Sequence, residues 1–233
     1  MTTKVLGKNA IQSSLKGIKI LDNIERNQTG IKYGLDIWNV YDFLFRDKNN
    51  LPKLKVLEIS IPSSSKYIVE SKSMKLYLNS FFNKDYTNQA EVINIITKRI
   101  SNKCNSDIKI VSKSSFKTFD KNNFTNKSGL LVYKGFRSIC PVTSQPDWGN
   151  IYIYSSTHTL NKKEIFDFLF SLRNHGGFHE SCVEKTFLYI KETFSVDHLE
   201  ICGRFLRRGG IDINPIRSSQ KKLFFENFRE FNQ

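Results

Sequence analysis

The order of secondary-structure elements is written twice in this chain. YLNSFFN (Tyr77 to Asn83) lies over FLFSLRN (Phe168 to Asn174) at an offset of 91 residues. Around the first copy, Lys53 to Ile61 and Lys66 to Val69 read as strands, ESKSMKLYLNSFFN and NQAEVINIITKRI as helical segments, and Asp107 to Val111 as a further strand. Around the second, Leu130 to Val142 and NIYIYSS read as strands, Asn161 to Asn174 and HESCVEKTFLYIKETF as helices, and HLEICGRFLRRGG and IDINPIR as extended segments about a turn. Both halves therefore read strand, strand, helix, helix, strand, with a further strand to follow. Carried outward, the same register sets Glu70, Ser71 and Lys72 over Asn161, Lys162 and Lys163, and His179 and Glu180 over Asn88 and Gln89. Each module keeps chemical groups that the other lacks, which is the pattern of duplicated modules sharing one site.

Local signals sharpen the reading. Asn88 is an N-cap with Glu91 three residues on, followed by apolar Val92, Ile95, Ile96 and Ile100. The spacing of Ile165, Phe166, Phe168, Leu169 and Leu172 is helical, with the Gly176-Gly177 pair as its stop. DIWNVYDFLF reads as a short helix capped by Asp36. The polar stretch Ser112 to Ser128 is the expected linker, dividing a module over 1–125 from one over 126–233.

The net charge of +14 raises the question of a nucleic-acid partner, but its make-up argues against one. There are 26 Lys against 10 Arg, the lysines are scattered, and no basic run exceeds two residues, so a solvated surface accounts for them. The four cysteines at 104, 140, 182 and 202 form no C-x-x-C pair and no zinc framework. MTTKVLGKNAIQ has no apolar signal core, and no apolar run approaches the roughly 18 residues of a membrane span. The expectation is a cytoplasmic protein with reduced thiols and no membrane segment.

Four stretches carry groups suited to chemistry. In CPVTSQPDWG, Cys140 precedes a proline that cannot donate to a ladder, so the strand loosens where the thiol stands. A buried, inert thiol is the bland reading for Cys104, Cys182 and Cys202. Asp147, between Pro146 and Trp148, is either a turn aspartate or a carboxyl kept protonated by an indole, a general acid. In FHESC, His179 and Glu180 open a helix. The carboxylate there is either favourable helix-start electrostatics or a bidentate acceptor for two N–H groups of a planar heterocycle. RRGGIDINP offers Arg207, Arg208 and glycine amides as a phosphate seat, and ESKSMK adds Lys72 and Lys75 on one helical face. The dispersed histidines imply no metal.

Together ESKSMKLYLNSF, CPVTSQPDWG, FHESC and RRGGIDINP, in this order and spacing, resemble the NADPH-dependent 7-cyano-7-deazaguanine reductases of queuosine biosynthesis in their bimodular form. The resemblance runs from about Gly34 to Ser218, with the segment from Asn105 to Tyr133 shorter than in typical bimodular members. It implies an α+β chain of tandem tunnelling-fold (T-fold) modules, antiparallel sheets with paired helices on one face, associating as a homodimer. It implies four-electron reduction of the nitrile of a small deazapurine, in a tRNA-modification pathway, to 7-aminomethyl-7-deazaguanine. Cys140 would add to the nitrile carbon as a covalent thioimide, with Asp147 as proton donor and His179 beside them in the catalytic group. His179 and Glu180 would hold the deazaguanine edge with Val69, Glu70 and Ser71 from the other module. Ser71, Lys72, Arg208 and Gly209 would contact NADPH. Two rivals are a T-fold amidinotransferase acting on deazaguanine-modified tRNA, which lacks the E-S-K motif intact here, and a degenerate basic RNA-binding protein. The latter would show clustered arginines, and direct nucleic-acid binding is not expected.

Overall fold

A computed structural model describes residues 20–27, 29–119, 129–141, 143–156 and 160–233. The expected module boundary at 125 and the linker beyond Phe119 lie outside these residues, as does Val142 at the end of its strand-like run. The chain forms two compact units that exchange short segments. The first comprises the described residues of Met1–Gln28, Trp38–Ser114 and Arg208–Ile211; the second, those of Thr29–Ile37, Ser115–Arg207 and Asp212–Gln233.

In the first unit, β1 (Asn23–Glu25) pairs antiparallel with β4 (Tyr67–Val69). β2 (Tyr33–Asp47) brings its residues from Trp38 onward, and β3 (Pro52–Pro62) lies between it and β6 (Lys109–Lys113). β3 and β6 are antiparallel, with Ile59 opposite Ile110, and the two-residue β5 (Asp85–Tyr86) joins β2 at Arg46. Leu57, Ile59 and Ile61 are buried at the alternate positions that a strand with one covered face requires. Helix α1 (Ser71–Asn79) buries Met74, Tyr77 and Leu78; helix α2 (Gln89–Cys104) buries Val92, Ile96, Ile100 and Cys104, a stripe at strict four-residue spacing. Asn88 caps α2 by accepting from the Glu91 N–H at 3.0 Å, while Glu91 reaches back to the Thr87 N–H at 2.8 Å.

The second unit repeats this order. β8 (Leu130–Ile139), β9 (Pro146–Ser155), β10 (Leu199–Phe205) and β11 (Ile211–Ser218) are neighbours in that order, and the β8–β9, β9–β10 and β10–β11 pairings are antiparallel. Helices α3 (Lys162–Ser171) and α4 (His179–Thr193) cover one face of this sheet. Ile165, Leu169, Val183, Phe187 and Ile190 pack there against Phe136, Ile151, Ile153 and Ile201. The intervening positions Tyr152, Cys202 and Ile216 are buried as well, against Phe225 and Phe228 of the C-terminal segment. Every residue of β10 and β11 is consequently buried. The repeat register holds at the first helix of each unit: Glu70 caps α1 and Asn161, its counterpart at an offset of 91, caps α3.

Three local expectations are corrected. DIWNVYDFLF is strand, not helix, and Asp36 caps nothing: it is buried and accepts from Arg217 at 2.7 Å. Arg217 also binds the Glu184 carboxylate on α4 with two nitrogens, at 2.7 and 3.0 Å. Burial opposes this guanidinium's charge, but Asp36 and Glu184 outweigh it and hold the proton more tightly than usual. An apolar run flanked by Asp satisfies helix and strand patterns alike, and a buried partner distant in sequence decided between them. Second, Gly176-Gly177 does not stop α3. The helix tightens into a 3-10 turn at Leu172–Asn174, and Gly176 bridges Ile139 beyond it. Third, the further strand expected in the first half is absent from its sheet among the described residues; β7 (Lys117–Thr118) instead pairs parallel with β12 (Phe228–Arg229) in the second unit.

Candidate active site

Cys140 stands one residue past the last ladder pair of β8 and β9, Ile139 with Pro146. Its N–H donates to the Gln145 carbonyl at 2.9 Å, and the Ser144 N–H donates back to the Cys140 carbonyl at 3.0 Å, closing a tight turn with Ser144 at φ +56°. Ile139 is clamped on its other side: its N–H donates to the His175 carbonyl and its own carbonyl accepts from Gly177. The backbone beside the thiol is thereby tied to the segment that leads into α4. Of the four cysteines only Cys140 is partly accessible. Burial pushes the Cys182 thiol up to about 11 and that of Cys202 to about 12, so both stay protonated and inert near neutrality.

Asp147 lies on β9, 6% exposed, while its neighbour Trp148 is 44% exposed. Successive strand residues face opposite sides, so the indole does not cover the carboxyl as expected; it packs with the Arg137 guanidinium. What encloses Asp147 is the start of α4 and the strand opposite. His179 Nε2 is 3.5 Å from Asp147 Oδ2, and Ser138 on β8 is its direct cross-strand partner. The His179 ring lies parallel to Phe205, 3.9 Å between centroids and 8° between planes. Phe205 is in turn the cross-strand partner of Gly149, where a Cβ would come within 3.1 Å of the Phe205 ring and 2.6 Å of the Arg204 carbonyl oxygen. The glycine of PDWG therefore makes room for the aromatic platform under His179. His179 Nδ1 is buried with no hydrogen-bond partner among the described residues. Glu180 follows in the first turn of α4, itself buried, where the helix N-terminus favours a carboxylate.

The remaining candidates lie in the first unit. Glu70 caps α1, its carboxylate accepting from the Lys72 and Ser73 N–H groups at 2.7 and 2.8 Å. The Ser73 hydroxyl accepts from the Asp22 N–H and donates to the Glu70 carbonyl, and the Glu70 N–H bonds the Asp22 carbonyl. The E-S-K motif is thus a rigid corner, with Val69 buried before it and Ser71 and Lys72 opening the helix. Arg208, Gly209 and Gly210 form a turn whose glycines have φ of +58° and +79°. The Lys75 side chain lies 3.3 Å from where a Gly209 Cβ would stand, and a Cβ at Gly210 would collide with the Asp42 carboxylate. A side-chain-free backbone flanked by Lys75 and Arg208 fits a phosphorylated cofactor. The structure thus brings Asp147 and His179 together on the hairpin whose turn begins at Cys140, with Glu180 next to His179 in the first turn of α4, and brings Lys75 to the Arg208–Gly209 turn.

Sequence reading missed Ser138 and Phe205. Their signals were present but indirect: a serine two residues before Cys140, and a glycine in PDWG that had to face something large. Among the described residues no group of three or more His, Cys, Asp and Glu side chains is placed to hold a metal, and no helix is long and apolar enough to cross a membrane.

Residues 14–112 match a family model described as nitrile reductase, 7-cyano-7-deazaguanine-reductase N-term, and residues 146–223 match one described as QueF-like protein. The chain is 35% identical over 218 residues to the NADPH-dependent 7-cyano-7-deazaguanine reductase of Buchnera aphidicola subsp. Schizaphis graminum, covering 80% of this chain and 82% of that protein. It is 32% identical to that of Coxiella burnetii strain Dugway 5J108-111, over 86% and 82% of the respective chains. Against that of Burkholderia vietnamiensis identity is 31%, over 98% of this chain and 97% of the other.

Proposed function

The chain belongs to the NADPH-dependent 7-cyano-7-deazaguanine reductase family, and on that premise we propose that Cys140, Asp147, His179 and Glu180 carry the chemistry of nitrile reduction. The observation that supports this most directly is the enclosure of Asp147 between His179 and Ser138, on a hairpin whose turn begins at the one partly accessible thiol.

Cys140, as thiolate, attacks the nitrile carbon and forms a C–S bond while one π bond of C≡N opens toward nitrogen. Asp147 protonates that nitrogen, giving a neutral thioimide. NADPH supplies hydride when bound, two equivalents being needed to take a nitrile to a primary amine. Between the two reductions the C–S bond breaks and the thiolate leaves, so Cys140 is regenerated. His179, held flat on Phe205, keeps its Nε2 toward Asp147 and is placed to return protons to it. Glu180 accepts two N–H groups from the deazaguanine edge, which fixes the heterocycle's orientation. Val69, Glu70 and Ser71 are proposed as further substrate-binding residues, on the corner that the Glu70 cap holds rigid. Ser71, Lys72, Arg208 and Gly209 would hold the cofactor, the side-chain-free turn and its basic neighbours suiting phosphate groups. The product enters queuosine biosynthesis. We assign the protein to the cytoplasm as a homodimer without direct nucleic-acid contact.

The test is intact mass after incubation with 7-cyano-7-deazaguanine and no NADPH. The wild type gains one substrate mass and Cys140→Ala gains none. An adduct in Cys140→Ala, or turnover by it, sinks the covalent mechanism.

A further inference from the structure

We propose that Ser138 is a positioning residue for the proton donor: its hydroxyl donates to the Asp147 carboxylate once that group has given up its proton. The inference rests on the reading of Asp147 as the acid. Ser138 and Asp147 are direct partners across the β8–β9 ladder. Residues so placed share a face, with Cβ atoms about 4.5–5.5 Å apart, which puts a serine hydroxyl within reach of a carboxylate.

Ser138 is completely buried, yet its Oγ makes no hydrogen bond of normal geometry. It lies beside the Cys182 thiol, close enough to temper the rise that burial imposes on that thiol, but a thiol is a weak partner. A buried hydroxyl left unsatisfied is costly. Rotation about one side-chain bond carries it between staggered positions, from Cys182 toward Asp147. With Asp147 protonated, the hydroxyl has no anion to serve. With Asp147 ionised, it becomes a charge-assisted donor. A hydrogen bond to the charged form favours that form, so Ser138 makes Asp147 the stronger acid.

Other titratable or charged groups among the described residues lie near Asp147. From α4 come His179, with Nε2 at 3.5 Å, then Glu180, Cys182 and Lys185. Cys140 follows on the β8 side, and His175 lies against Lys185 in the connecting segment. Phe205 of β10, which carries no charge, forms the platform under His179. Ser138 is a neutral donor whose neighbour in this structure is the weak Cys182 thiol, so its removal acts on Asp147 without changing the net charge.

The experiment follows the Asp147 carboxyl by carbon NMR in aspartate-labelled protein, its resonance identified by its loss in Asp147→Asn. Alongside it, the rate of adduct formation with the nitrile is read by intact mass. In Ser138→Ala the titration midpoint of Asp147 moves up by about one unit, and adduct formation, compared at a pH below both midpoints where Asp147 is fully protonated, slows by up to about tenfold because the acid is weaker. Ser138→Thr keeps the hydroxyl and restores both, which a loss of packing alone would not do. An unmoved midpoint in Ser138→Ala, with Asp147→Asn unable to form adduct, overturns this proposal and leaves the proton-donor reading intact. Wild-type adduct formation in Asp147→Asn overturns that reading and this proposal with it.

Discussion

The imidazole of His179 rests on the ring of Phe205, nearly parallel to it with 3.9 Å between centroids, and Phe205 fits there because position 149 carries no side chain. A strand residue, a glycine on the neighbouring strand and the first residue of a helix thus set the ring that faces Asp147. Gly149→Ala therefore pushes Phe205 and tilts His179. We expect kcat to fall about 10- to 100-fold, with a stability loss of roughly 1–3 kcal/mol. Phe205→Leu, which vacates the platform without the clash, should lower kcat with a smaller change in Tm. Steady-state kinetics with thermal melts of both variants checks this; wild-type kcat in both denies the platform a role.

Thiol reactivity should follow burial. Near pH 8, an aromatic disulfide reagent modifies Cys140 rapidly, while Cys104, Cys182 and Cys202 react only on unfolding, because each is buried. Cys140→Ala loses the fast equivalent. Counting released thiolate against time with and without denaturant decides the matter, and a second fast equivalent in the native protein would contradict it.

The Arg208–Gly210 turn predicts a cofactor-specific defect. Gly210→Ala places a methyl group against the Asp42 carboxylate at a backbone φ of +79°. Distortion of the turn should raise the KM for NADPH about tenfold or more. Adduct formation in the absence of NADPH should proceed at the wild-type rate. Loss of both would mean that the turn supports more than the cofactor.

Glu200 carries a pH signature in stability. Its carboxylate accepts from the N–H groups of Phe224 and Phe225, tying the C-terminal segment to the sheet. Burial raises its pKa above the usual 4.5 despite those two bonds. The folded state then binds the Glu200 proton more tightly than the unfolded state. Stability from this group is present below pH 4.5 and is lost as pH rises through the raised value. Glu200→Gln keeps an oxygen for the N–H groups and removes the buried charge. Its Tm should exceed the wild type's by a few degrees at pH 7 and converge with it toward pH 4.5. Parallel melts at both pH values test the sign.

Much of this architecture was legible along the chain because it depends on near neighbours. The α2 stripe, the Asn88 cap and the alternation in β3 each express a period that burial of one face enforces. The repeat could be read because both copies build their first helix on a capped corner, Glu70 in one and Asn161 in the other. Where local pattern misleads, the deciding partner is distant in sequence. Asp36 looked like a helix cap because nothing nearby announces Arg217, 181 residues away. Gly176-Gly177 looked like a helix stop because nothing nearby announces the edge of β8.

The chemical inventory and the order of elements were thus determined by the sequence itself: a thiol before a proline, an acid on the returning strand, a histidine and glutamate opening a helix, and a glycine turn beside basic residues. The tertiary structure decided which of these groups touch. Only there does Asp147 turn away from Trp148 toward His179, and only there do Ser138 and Phe205 become neighbours of the chemistry. The physical reason is that residue type and spacing encode local conformation, whereas side-chain contact across strands depends on register, which is set by the packing of the whole sheet.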